Sequence, residues 1–186
     1  KVYLDNAATT PMAPEVIEKM TQVMKENYGN PSSIHGFGRN SKAVIEIARR
    51  EIAKLINAEP REIVFTSGGT EADNMAIICA VHDFGVKRII SSTIEHHAVG
   101  HTIEHMDGVK ADWINVSDTG QIDLVQLEEL LKSGEKTLVS LMHANNEIGT
   151  LLDIKAVSAI CKKYDAYFHS DTVQTMGHYK MDVQDL

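Results

Sequence analysis

From residue 62 onward the hydrophobic pattern switches repeatedly between the two-residue period of a strand and the 3.6-residue period of a helix. That alternation constrains the fold more than any other feature of the chain. Strands are expected over 62–66, 88–92, 111–116, 137–142 and 166–170, and helices over 71–84, 97–105, 124–131 and 154–164. Strands that alternate with helices predict an α/β fold with a mainly parallel sheet covered by helices on both faces. Ligands of such sheets bind beyond the carboxyl ends of the strands. Attention therefore falls on the residues that follow each strand.

The first sixty residues read differently. Residues 1–13 form an N-terminal arm without helical or strand period, and one large domain is expected over 14–186. Pro14 opens a helix with Val16, Ile17, Met20, Val23 and Met24 at helical spacing, and Tyr28-Gly29-Asn30-Pro31 breaks it. Ser32 to Gly38 reads as an ordered loop. A longer helix follows with Val44, Ile47, Ala48, Ile52, Leu55 and Ile56 on one face, closed by Asn57 and Pro60.

With 43% hydrophobic residues in 186, the chain can bury a substantial core. A net charge of −8 with no concentrated Lys/Arg cluster argues against nucleic acid as a partner. No apolar run approaches the roughly 20 residues that span a bilayer, so no membrane partner is expected. Cys79 and Cys161 lie inside apolar helical patterns and read as buried, reduced thiols. With no leader-like run after Lys1, they suggest a cytoplasmic protein. Because the chain starts at Lys1, an initiator methionine is expected to precede it.

Four strand-end segments carry chemistry. In Thr66-Ser67-Gly68-Gly69-Thr70-Glu71 a glycine pair opens a helix whose N-terminal N–H groups suit a phosphate, and Thr70 adds a hydroxyl. A plain tight turn has a similar composition. Glu95-His96-His97 supplies an imidazole that can stack on a ring or move protons near neutrality. His97, His101 and His105 share a helix face, but no further metal ligand accompanies them, and no metal is expected. His143-Ala144-Asn145-Asn146-Glu147 offers adjacent amides. His169-Ser170-Asp171-Thr172-Val173-Gln174 ends a strand on a carboxylate, which can protonate a pyridine nitrogen or cap a helix.

Taken in order, these segments resemble fold-type I pyridoxal-phosphate enzymes, the aspartate aminotransferase fold. The opening Tyr3-Leu4-Asp5-Asn6-Ala7-Ala8-Thr9-Thr10 looks like the class V aminotransferase group. Gly29-Asn30-Pro31-Ser32-Ser33 with His35, Thr66 to Glu71, and Glu95-His96-His97-Ala98-Val99 are similar to cysteine desulfurases of the NifS/IscS type. The sister SufS-like group usually shows His-Val-Ser-Asn where this chain has His143-Ala144-Asn145-Asn146.

The resemblance implies pyridoxal 5'-phosphate as cofactor. Gly69 and Thr70 would bind its phosphate, and His96 would stack on its ring and act catalytically. Asp171 would meet the pyridine nitrogen, and Asn146 and Gln174 would lie near the phenolic oxygen, Asn146 also near the substrate. It further implies L-cysteine as substrate, alanine as product, a sulfur-acceptor protein and a homodimer, in the service of iron–sulfur or thiolation pathways. Selenocysteine lyase or aminotransferase chemistry is the alternative on this scaffold, and a non-catalytic scaffold half is another. The family's Schiff-base lysine, in Ser-x-His-Lys, and its persulfide cysteine have no counterpart among residues 1–186. Lys180 is no substitute, because Gly177 to Asp182 is similar to a strand beyond the aspartate loop. The large domain is therefore expected to be truncated here, with the lysine segment and a C-terminal small domain outside it, and these residues alone to be inactive.

Overall fold

A computed structural model describes all residues 1–186. The chain divides into two compact units, Lys1–Val64 with Met181–Gln184, and Phe65–Lys180 with Asp185–Leu186.

In the first unit Pro14 occupies the first turn of α1 (Pro14–Glu26), where its missing N–H costs nothing, and Lys25 faces the negative end of the helix dipole. The apolar positions of α1 lie in one stripe, yet Ile17 is 52% and Met24 67% exposed. α2 (Gly36–Leu55) starts inside the segment expected to be loop, because His35 Nδ1 accepts the Gly38 N–H at 3.4 Å and caps it. Gly38 is required there: a Cβ would come 2.6 Å from the Asn30 carbonyl oxygen. Asn57, at φ 57°, ends the helix, and its amide reaches Asp182 at 2.9 Å, while Val183 N–H donates to Ile56 at 3.0 Å.

The strand expected over 62–66 does not form. Pro60–Glu62 is instead a short 3-10 turn closed by Glu62, whose carboxylate accepts the Glu59 N–H at 2.7 Å. Ile63-Val64-Phe65 has strand composition, but a strand also needs a neighbour for its ladder. Here Ile63 gives its carbonyl to the Arg49 guanidinium, and Val64 is 60% exposed.

The second unit is built on four parallel strands, β1 (Arg88–Ser92), β2 (Lys110–Ile114), β3 (Thr137–Ser140) and β4 (Tyr167–His169), in the order β2-β1-β3-β4. Alternate residues point to opposite faces, and each face is covered. Ile89 and Leu138 pack with Ile77 and Ala80 of α3 (Gly69–His82) and Val99 and Ile103 of α4 (His97–Glu104). Ile90, Ile114 and Val139 pack with Leu127 and Leu131 of α5 (Leu124–Leu131) and Val157 and Cys161 of α6 (Ile154–Lys163). The α/β fold with a parallel sheet and helices on both faces is therefore present as the sequence implies.

Cys161 is 1% exposed, and burial pushes its thiol up to about 12. Cys79 corrects the sequence reading: it is half-buried, and a hydrogen bond with Asp83 raises its thiol's pKa. The strand expected around Gly177–Asp182 is also absent. The N–H groups of His178 and Tyr179 both return to the Thr175 carbonyl at 3.0 Å, and Gly177 has φ 87°, which makes a turn.

Arg88 anchors the amino end of the sheet. It is 3% exposed and donates to Asp112 at 2.5 Å, to the Leu130 carbonyl at 2.5 Å and to Ser133 Oγ at 2.8 Å. All four sequence-predicted strand-end segments lie away from it, at the other end.

Candidate active site

After β1 the chain steps outward to β2, then crosses back to β3 on the other side of β1. The reversal makes a topological switch point between β1 and β3, and α/β sheets bind ligands beyond the carboxyl ends of the strands at such points. His96 follows β1, Asn146 follows β3 and Asp171 follows β4, so three of the expected residues issue from adjacent strand ends.

Hydrogen bonds lace these loops together. The ladder continues past the regular strands, with Leu141 N–H donating to His169 O at 3.1 Å and His143 N–H to Asp171 O at 2.9 Å. Asn145 Nδ2 donates to the Ile94 carbonyl at 2.7 Å, which ties the asparagine loop to the histidine loop. Asn145 Oδ1 also accepts from the N–H groups of Glu147 and Ile148 at 2.8 and 3.0 Å. Of the two adjacent amides, Asn145 is thus buried structure. Asn146 is half-buried, with Nδ2 on Glu147 Oε1 at 2.8 Å.

His96 caps α4: its Nδ1 accepts the Ala98 N–H at 3.1 Å. That bond fixes the tautomer when the ring is neutral, leaving the proton on Nε2 of an exposed imidazole. Asp171 is buried, and its Oδ1 accepts the Val173 N–H at 2.9 Å. This is a turn two residues long, not a helix cap, because Thr172–Thr175 closes as a turn with Thr175 N–H on Thr172 O at 2.9 Å. Gln174 is half-buried on that turn.

Gly69 and Thr70 begin α3, where the first N–H groups have no intrahelical acceptor. Glu71 reaches back to the Ser67 N–H at 2.6 Å, and that hydrogen bond holds its carboxyl below the usual range. A Cβ on Gly69 would sit 2.9 Å from Val173 Cγ2. The bare backbone therefore lets the helix N-terminus and the aspartate loop approach closely. A helix N-terminus and a buried carboxylate on touching segments would suit a ligand with a phosphate at one end and a basic ring nitrogen at the other. Pyridoxal phosphate has that form, and the donor set fits it.

Beneath this surface, His169 Nε2 lies 3.4 Å from Asp73 Oδ1 of α3, and its Nδ1 lies 2.9 Å from Ser140 Oγ. His143, 7% exposed, meets Thr175 Oγ1 at 2.9 Å, and burial lowers its pKa. Glu95 is the residue the sequence did not single out within its own motif. Its Oε1 accepts from Ser92 Oγ at 2.8 Å and Met142 N–H at 3.0 Å, spanning β1 and β3 at the reversal. A cleft of about 390 Å³ beside it is lined by His97, His101 and Trp113, and by none of the expected cofactor contacts. The rings of His97 and His101 stack at 5.0 Å. The expected contacts are instead joined through the loop lacing.

Residues 2–186 match the family described as aminotransferase class-V. The chain belongs to that family. It is 48% identical over 191 residues to the cysteine desulfurase IscS of Dictyoglomus turgidum, covering 100% of this chain and 48% of that one. A solved NifS-like protein superposes with TM-score 0.91 at 38% identity, covering 98% of this chain and 52% of its own. SspA in complex with cysteine superposes with TM-score 0.91 at 31% identity, covering 100% and 54%. The chain spans about half the length of the curated relatives it matches. The class V resemblance read from the motifs and the NifS/IscS likeness both hold over the whole chain.

Proposed function

We propose that this chain is the cofactor-cradling part of a pyridoxal-phosphate-dependent cysteine desulfurase, which converts L-cysteine to L-alanine and passes the sulfur to an enzyme cysteine. The observation that carries the reading is the close approach of Gly69, at the start of α3, to Val173, two residues after Asp171. The likeness to proteins named cysteine desulfurase supports the substrate class.

Bound pyridoxal phosphate supplies a ring that withdraws electrons from the substrate's α-carbon. In this reading the N–H groups at Gly69 and Thr70 hold the phosphate, and Asp171 keeps a proton on the ring nitrogen. His96 covers the ring, and its Nε2 is the atom available to exchange a proton with the substrate. Asn146 and Gln174 orient the oxygen-bearing edge, Asn146 also the substrate.

The lysine and the persulfide thiol are assigned to residues outside 1–186, so those residues alone are inactive in this reading. The arm over 1–13 and the large domain over 14–186 belong to a cytoplasmic homodimer that delivers sulfur to an acceptor protein for iron–sulfur or thiolation pathways. The exposed apolar stripe of α1 supports an association of that kind.

The test is alanine release from L-cysteine by the full-length protein, alongside its cofactor absorbance. Asp171→Ala is expected to abolish turnover and shift the absorbance; unchanged turnover and spectrum overturn the assignment.

A further inference from the structure

Glu95 occupies an unusual place for a carboxyl group. It lies at the reversal between β1 and β3, one residue before His96. Its Oε1 accepts from Ser92 Oγ at 2.8 Å and from Met142 N–H at 3.0 Å. Its Oε2 is buried with no hydrogen-bond partner. A bare carboxylate oxygen buried without a donor is costly, and a proton on it removes the charge.

The surroundings agree. Asp171 of the loop after β4 adds repulsion, while His169 of β4, itself beside Asp73 of α3, acts the other way. Desolvation dominates, and the carboxyl is pushed up to about 7. His143 at the end of β3 is disfavoured as a cation by burial. His96 and His97 follow in the chain, both at the surface.

We propose that Glu95 is a positioning residue that works as a neutral carboxylic acid, pinning the His96 loop to β3 while keeping a second negative charge away from Asp171. Two bonds fix the loop from opposite ends: Met142 holds Glu95, and Asn145 holds Ile94 at 2.7 Å. His96 caps α4 directly after them, so its ring plane follows from this anchorage. Neutrality matters because an ionised Glu95 would set a second buried negative charge in the field of Asp171, which already disfavours it.

The inference rests on the cofactor reading above for what His96 and Asp171 serve, but its proton is testable without cofactor. The sign is fixed by linkage. A carboxyl that stays protonated up to about 7 when folded, against 4.5 ordinarily, loses folded-state stability as pH rises between those values. Glutamine has the same shape and does not titrate.

The full-length apo-protein, its Glu95→Gln variant and its Glu95→Ala variant are melted from pH 5 to 8.5. The Gln variant is expected to gain several degrees on the wild type as pH rises from 5 to about 7, and to hold that gain above it. Parallel melting curves overturn the neutral-acid assignment. With pyridoxal phosphate added, the Gln variant is expected to keep the cofactor's visible circular dichroism and affinity within about twofold. The Ala variant is expected to lose about tenfold in affinity and to change the band. An Ala variant with the wild-type band and affinity overturns the positioning role. If that variant does not fold, the Gln melting curves decide. A wild type that binds no pyridoxal phosphate overturns the functional reading, while the apo melting curves still judge Glu95.

Discussion

Gly69 and Val173 touch so closely that a single added methyl would place Cβ 2.9 Å from Val173 Cγ2. The contact joins the first turn of α3 to the loop of Asp171, so in the proposed reading it would set the spacing between the residues that hold the phosphate and the ring nitrogen. Gly69→Ala must push the loops apart or move Val173, at about 1–3 kcal/mol, typical of overpacking. Titration of the full-length apo-protein with pyridoxal phosphate should show affinity roughly tenfold weaker. Because Val173 is 64% exposed, trimming it is cheap. Gly69→Ala combined with Val173→Ala should recover most of the loss, and a double variant as weak as the single one would assign the loss to another cause.

Gly120 makes a comparable contact with the asparagine loop. It sits at φ 79°, where a side chain is strained, and a Cβ would come 2.5 Å from Ile148 Cδ1 and still closer to Thr150. Thr150 also donates to the Thr119 carbonyl at 3.2 Å, and its own carbonyl accepts the Asn145 N–H at 2.9 Å. Gly120→Ala should cost about 1–3 kcal/mol in denaturant unfolding. It should also weaken substrate binding more than cofactor binding, because the strain enters through the Asn146 loop.

Much of this site was readable from the chain because α/β folds concentrate chemistry at strand ends. Once the strands ending at Ser92, Met142 and Ser170 were placed, His96, Asn146 and Asp171 were in view. The order β2-β1-β3-β4 was not readable, since each strand carries the same buried apolar pattern whichever neighbour it pairs with. Residues 62–66 show the limit of composition: Ile63-Val64-Phe65 favours a strand, but the Glu59–Glu62 turn and the Arg49 guanidinium on the Ile63 carbonyl decide otherwise. Asn145 and Asn146 are adjacent and chemically identical, and only the Ile94 carbonyl distinguishes the buried one. Glu95 was present in the motif, yet nothing in a sequence says that a glutamate's second oxygen is buried without a partner.

The far end of the sheet is a separate source of stability. Arg88 satisfies Asp112, the Leu130 carbonyl and Ser133 with one guanidinium that is almost fully buried. Arg88→Ala leaves the Leu130 carbonyl without that donor and Asp112 with Lys110 alone at 3.4 Å, and should lower unfolding stability by about 1–3 kcal/mol. Since every candidate site residue lies at the opposite strand ends, the spectrum of bound cofactor should be unchanged in whatever fraction folds. A shifted spectrum would mean that the two ends are coupled.

His143 and Glu95 oppose one another in pH. Burial lowers the His143 pKa from 6.5, so the folded protein holds this imidazole neutral while the unfolded chain protonates it near 6.5. The unfolded state then binds more protons, and stability falls as pH drops below about 6.5. Glu95 does the reverse, removing stability as pH rises toward about 7. Below about 6.5 the two contributions offset one another, and above it the Glu95 loss stands alone up to about 7. His143→Gln retains a polar partner for Thr175 and does not titrate. Its stability should therefore fall more steeply than the wild type's as pH rises toward about 6.5, because the Glu95 loss is no longer offset. A pH profile parallel to the wild type's would show that His143 does not contribute.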